Sequence, residues 1–172
     1  RTAVALGARF GVPVDRGAAK PSSARTEAVE ALRAHRGPVL ALGPCTNVAA
    51  ALAEGARWTR LIVLGGTDRW LPNLRPLHTT ELNFALDELA AAAVLSAGRE
   101  GRVAVELVPM EPCRRVWAGE AELARIPAWL AEGCRPWLRT SWMRHPGGLR
   151  RFHPWDVLAA VADGGFDLDA RR

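Results

Sequence analysis

Val39-Leu40-Ala41-Leu42-Gly43-Pro44-Cys45-Thr46-Asn47-Val48-Ala49 is the stretch that decides the fold. Its first four residues make a short apolar run, suited to a strand buried on both faces of a parallel sheet. Gly43-Pro44 ends that strand. Thr46 or Asn47 can then cap an Ala-rich helix running through Glu54. Upstream, residues 26–36 (TEAVEALRAHR) place Ala28, Val29 and Leu32 on one face with charges opposite. That pattern reads as an amphipathic helix, stopped by Gly37-Pro38. Downstream the cycle repeats: Leu61-Ile62-Val63-Leu64 is a second buried strand ended by Gly65-Gly66, residues 87–97 a helix, and 103–108 a third strand. Helices alternating with short buried strands specify an α/β fold, a mostly parallel sheet flanked by helices.

Beyond Pro112 the texture changes. Residues 120–135, 137–143 and 154–162 read as helices joined by loops rich in Gly, Pro and His. Residues 1–25 are expected to supply the tail of a helix and an edge strand around Val12-Pro13-Val14, and 163–172 a frayed end. The expectation is a single domain over 1–172, with an α/β core at 1–116 and a mainly helical portion at 117–172. No internal repeat is present.

Composition narrows the function. The 172 residues suffice for one compact core and are too few for two comfortable ones. No apolar run approaches the roughly 20 residues of a membrane-spanning helix, so no membrane partner is expected. The net charge of +5 invites a nucleic-acid reading. Yet nearly all the positive charge is arginine, Lys20 being the only lysine, and it is spread over the chain. Arg114-Arg115 and Arg150-Arg151 are short pairs with no alternating aromatic platform, so no nucleic-acid partner is expected either. Cys45, Cys113 and Cys134 form no CxxC pair, which argues against a disulfide framework or a zinc site and for a reducing cytoplasm.

In open parallel sheets, ligands bind outside the carboxyl ends of the strands. That rule singles out residues 43–47, then Gly65-Gly66 and the loop after it. The loop leads into Glu81-Leu82-Asn83-Phe84-Ala85-Leu86-Asp87. On an extended segment Glu81 and Asn83 share one face. A carboxylate beside an amide suits sugar hydroxyls, one accepting hydrogen bonds and the other doing both. The bland alternative is a solvated strand edge before a helix capped by Asp87.

Taken in order, these segments resemble the nucleoside hydrolases, the calcium-dependent N-ribohydrolases of the inosine-uridine preferring family. Residues 40–49 resemble its LGPLTNVA pattern with Cys45 for Leu, and 61–66 its IVxMGG strand with Leu64 for Met. Residues 81–87 resemble the AEFNxxxDPEAA block. Residues 105–116 resemble a strand ending in PLDVT, with Glu111 at the Asp and Cys113 at the Thr, and read as scaffold. Phe152-His153-Pro154-Trp155-Asp156-Val157 resembles the late HDPLAVA block, with Trp155 at the His and Val157 at the Pro.

The resemblance implies a Rossmann-like, nucleoside hydrolase-like core. It also implies hydrolysis of the N-glycosidic bond of ribonucleosides to ribose and free base, through an oxocarbenium-like state. It implies that Glu81, Asn83, Leu64 and the displaced Asn73 contact the substrate, and that the Thr46 carbonyl and Asp156 bind Ca2+. On the leaving-base side stand Trp155, able to stack on a base, and His153, three residues before Asp156. Read without the family, the same stretch is a helix starting at Pro154, with Trp155 in the core and Asp156 partnering the helix dipole. The family's DxDxGxDD segment, which carries most of its calcium ligands, is absent, and Asp15 stands alone. With the non-Met start at Arg1, a truncated piece of a longer enzyme is expected. The alternative is a catalytically inactive nucleoside- or ribose-binding relative. A homo-oligomer is compatible with the family.

Overall fold

The computed structural model describes residues 2–21, 25–67, 81–113, 115–139 and 151–161. The expectations for Asn73, and for residues 140–143 and 163–172, lie outside the described residues.

Three strands, β1 (Val39–Ala41), β2 (Leu61–Leu64) and β3 (Val105–Val108), form a parallel sheet in the order β1-β2-β3. β2 is central, and all four of its residues are buried, as its unbroken LIVL run requires. The helices in chain order are α1 (Thr2–Phe10), α2 (Glu27–Ala34), α3 (Thr46–Ala53), α4 (Leu82–Ala85), α5 (Glu88–Arg99), α6 (Met110–Cys113), α7 (Glu120–Leu123), α8 (Ala128–Arg139) and α9 (Trp155–Ala160). After β3 the described residues are helical apart from loops and one antiparallel bridge between Ala118 and Phe152.

The chain divides into two compact units that interleave along the sequence. The first comprises Arg1–Val39, Pro44–Leu61 and Leu86–Val105. The second comprises Leu40–Gly43, Ile62–Ala85 and Glu106–Arg172.

In the first unit, α3 packs on α2 and α5. Small side chains make this possible: Ala51, Ala91 and Ala97 are buried together with Val29, Val48 and Val94. Thr26 caps α2 by accepting from the Val29 N–H, and Glu27 and Glu30 lie in its first turn, where the helix dipole favours negative charge. The helices α3 and α5 both end in a Schellman turn. Ala56 N–H donates to Ala51 O and Gly55 N–H to Leu52 O; Arg102 N–H donates to Ala97 O and Gly101 N–H to Gly98 O. Gly55 and Gly101 take the left-handed conformation that this turn requires.

Two expectations fail here. Residues 12–14 form no strand. Val12 N–H donates to Gly7 O instead, and a Cβ on Gly7 would overlap Val14, so this segment folds back on α1 rather than pairing with the sheet. Nor do Thr46 and Asn47 cap α3. Its N-cap is Cys45, with no side-chain bond to the helix.

The second unit holds two apolar clusters. One gathers Ile62, Leu64, Val108, Met110, Cys113 and Ala159, with Leu40, Trp155 and Leu158 packed against it. The other gathers Leu123, Ala131 and Leu138, with Ile126, Cys134 and Phe152. The second explains a further correction. A break was expected at Pro136, yet α8 runs through it to Arg139, and the helical stretch expected at 120–135 is interrupted at Pro127. Positions 131, 134 and 138 share one helix face, and burying that stripe outweighs the backbone bond that Pro136 removes.

Candidate functional site

The β2 strand leaves the sheet through Gly65-Gly66, with φ of 157° and 79°. A Cβ on Gly65 would sit 2.6 Å from the Phe84 ring and 3.1 Å from Glu81 Oε2, so close approach alone demands glycine there. Against this turn lies Glu81, 5% exposed. Its Oε2 accepts from Gly66 N–H (3.0 Å) and Phe84 N–H (2.9 Å), and its Oε1 from Asn83 N–H (2.8 Å).

The ExN pair is therefore not on an extended segment, as alternation had implied. Glu81 stands at the start of α4, where its carbonyl accepts from Ala85 N–H, and Asn83 lies in the first turn. Helix capping brings the two together. Asn83 Nδ2 donates to Leu64 O at 2.9 Å and to Leu42 O at 3.5 Å, bridging the carboxyl ends of β2 and β1. The Leu64 side chain is 2% exposed inside the first apolar cluster, so its outward offering at this rim is the carbonyl that Asn83 holds.

The residues at the start of α9 belong to the same unit. Trp155 is half-buried against the cluster containing Leu64, and its Nε1 is shielded from solvent with no partner among the described residues. The His153 ring is parallel to it within 2°, at a centroid separation of 6.2 Å. His153 Nδ1 lies 2.6 Å from Val116 O; a carbonyl can only accept, so Nδ1 carries the proton. The paired bonds between Ala118 and Phe152, at 2.8 and 2.9 Å, hold this stretch in place. Partial desolvation raises the Asp156 carboxyl above the usual range.

Sequence reading missed two features nearby. Thr67 donates its hydroxyl to Glu111 Oε1, which ties the residue after the Gly-Gly turn to α6. Cys113 is fully buried, and burial, aided by the Glu111 and Asp156 carboxylates, pushes its thiol up to about 11. It is thus a protonated core residue at neutral pH. Glu111 gave a signal in sequence, as a carboxylate at a strand exit, but its partner Thr67 belongs to no motif.

Thr46 belongs to the first unit. Its hydroxyl donates to Asp87 Oδ2 at 2.5 Å. Asn47 Oδ1 accepts from Ala18 N–H at 2.9 Å and from the Thr26 hydroxyl at 3.3 Å. The polar side chains of this motif thus fasten loops and helices to one another.

Calcium takes about six to eight oxygen ligands, several of them carboxylates. Among the described residues, no group of three or more His, Cys, Asp or Glu side chains is gathered that could hold a metal ion. Asp156 and the Thr46 carbonyl fall short of such a donor set, and the described residues do not fit the ion. No described helix is long and apolar enough to cross a membrane.

A parallel sheet flanked by helices, with an acid and an amide fixed at a strand's carboxyl end, defines an α/β protein whose polar groups gather at the rim where such sheets bind ligands. The relationship is closer than that. The chain belongs to the inosine-uridine preferring nucleoside hydrolase family, whose sequence profile matches residues 3–166. No curated protein matches the chain.

Proposed function

We propose that the protein hydrolyses the N-glycosidic bond of ribonucleosides, releasing ribose and free base. The observation that carries this reading is the Glu81–Asn83 pair on the Gly65-Gly66 turn, in a chain whose family match spans residues 3–166. Bond cleavage through an oxocarbenium-like state needs a held ribose, an activated water and an eased departure of the base. Glu81, Asn83 and Leu64 are assigned to the ribose side, and Asn73 joins them by family resemblance alone. Trp155 offers a stacking surface to the base, and His153 is the candidate proton donor to it. Calcium is assigned no step, because the Thr46 carbonyl and Asp156 are too few donors.

That shortage favours a second reading, a nucleoside- or ribose-binding protein without turnover. Incubation with inosine and uridine, followed by reducing-sugar detection, separates the two when paired with calorimetric titration of ribose. Sugar release supports hydrolysis. Ribose heat without release supports binding alone, and neither signal sinks both. The three cysteines are free thiols, which suits the cytoplasm, and sedimentation tests the expected homo-oligomer.

A further inference from the structure

β2 leaves the sheet through Gly65-Gly66-Thr67, and the corner where β3 becomes α6 bonds to all three residues. Gly65 N–H donates to Val108 O at 3.1 Å, and Met110 N–H donates to Gly66 O at 3.1 Å. The Thr67 hydroxyl donates to Glu111 Oε1. Two successive glycines carry no side chain to pack and have wide conformational freedom, so bonds such as these set the turn. The third is the only one of the three made by side chains on both sides. It joins two half-buried residues, and a carboxylate acceptor makes it stronger than a neutral bond. The same corner also meets α9. Met110 and Cys113 share an apolar cluster with Leu64 and Ala159, with Trp155 packed against it, and the Glu111 and Asp156 carboxylates both act on the Cys113 thiol.

We propose that Glu111 is a positioning residue, which fixes the Gly65-Gly66 turn through Thr67 and, through α6, sets that turn against Trp155 at the start of α9. This rests on the ribose-side and base-side reading above, and it adds a residue that touches neither part of the ligand. The route is short. Glu111 holds Thr67, Thr67 adjoins Gly66, and the Gly66 N–H meets the Glu81 carboxylate. On the other side, the residue before Glu111 lies in the cluster on which Trp155 packs. Removing the Thr67–Glu111 bond leaves every ligand-facing side chain in the chain but frees the peptide that aligns them. A bond that served only to hold the fold together would cost stability and leave the ligand affinity of the folded chain unchanged.

The test uses the full, isotopically labelled chain, with D-ribose as the probe, at a temperature where thermal unfolding shows the variants folded. Glu111→Ala and Thr67→Val should each lower ribose affinity about fivefold. The double variant should bind no more weakly than either, because both changes remove one bond. Glu111→Gln keeps an acceptor and Thr67→Ser a donor, so both should stay within about twofold of the parent. Without ligand, Glu111→Ala and Thr67→Val should both move the Gly66 amide and Trp155 indole N–H signals. Where Glu111→Ala does not fold, Thr67→Val, which removes the same bond from its other end, carries the test. Folded Glu111→Ala and Thr67→Val chains that bind ribose as the parent does overturn the inference, and so do losses that add in the double variant. A ribose-silent parent chain counts against the functional reading alone. The two signals then decide the positioning role, and it is overturned if either stays in place in both variants.

Discussion

The Thr46 hydroxyl donates to Asp87 at 2.5 Å, so the first residue of α3 is bonded to the residue that caps α5. Asp87 Oδ1 meanwhile accepts from Ala90 N–H. One buried carboxylate thus serves a helix cap and an interhelical tie. Thr46→Val keeps the shape but leaves Asp87 Oδ2 without this donor. The expected loss is about 1–2 kcal/mol, seen as a lower urea midpoint with an unchanged slope. Thr46→Ser should hold most of the stability, and an unmoved midpoint in Thr46→Val would mean the tie contributes nothing.

Gly65 and Gly43 make a paired prediction. A Cβ on Gly65 collides with Phe84, whereas one on Gly43 meets nothing within 4 Å. Gly65→Ala should therefore cost about 1–3 kcal/mol through overpacking, and Gly43→Ala no more than about 0.5 kcal/mol. Thermal unfolding of the two variants side by side checks this. Equal effects would refute the close approach of Phe84.

Cys113 gives a pH prediction. Its folded-state value of about 11 lies above the ordinary 9.0, with burial as the main cause. The fold favours the protonated thiol, so its contribution is full below pH 9 and is lost as pH rises through about 11. The change is on the order of 2 kcal/mol. The chain contains no tyrosine and one lysine, so few groups besides its three free cysteines bear on this window. Cys113→Ala should flatten the fall in stability between pH 9 and 11. An equally steep fall in that variant would assign the dependence elsewhere.

Much of the fold was legible because burial and turn chemistry are written locally. LIVL at 61–64 reads as a strand buried on both faces, between the turn signals that bound it, and all four residues are buried. What misled was non-local. Pro136 reads as a break until the 131/134/138 stripe is seen to be buried, and Val12-Pro13-Val14 reads as a strand until Gly7 offers it a place on α1. At the candidate site, Glu81 and Asn83 were singled out by their resemblance to the family's block, but the bond from Glu81 to Gly66 spans 15 positions that no periodicity encodes. Thr46 and Asn47 were read as a cap because their partners, Asp87, Ala18 and Thr26, are distant in sequence.

Trp155 offers a way to separate scaffold from base recognition. Its ring packs against the cluster around Leu64, while its Nε1 is shielded without a partner among the described residues. An orphaned buried donor costs about 1–3 kcal/mol, and loss of ring volume costs a similar amount. Trp155→Phe removes both at once, so stability should stay within about 1 kcal/mol of the parent. Ligand binding should divide. Free ribose has no base to stack and should bind Trp155→Phe as it binds the parent, whereas inosine should bind several-fold more weakly, the larger indole face being worth about 1 kcal/mol in an aromatic contact. Titrating both ligands into both proteins reads this directly. If inosine and ribose weaken together, or inosine is untouched, Trp155 is core alone and the base lies elsewhere.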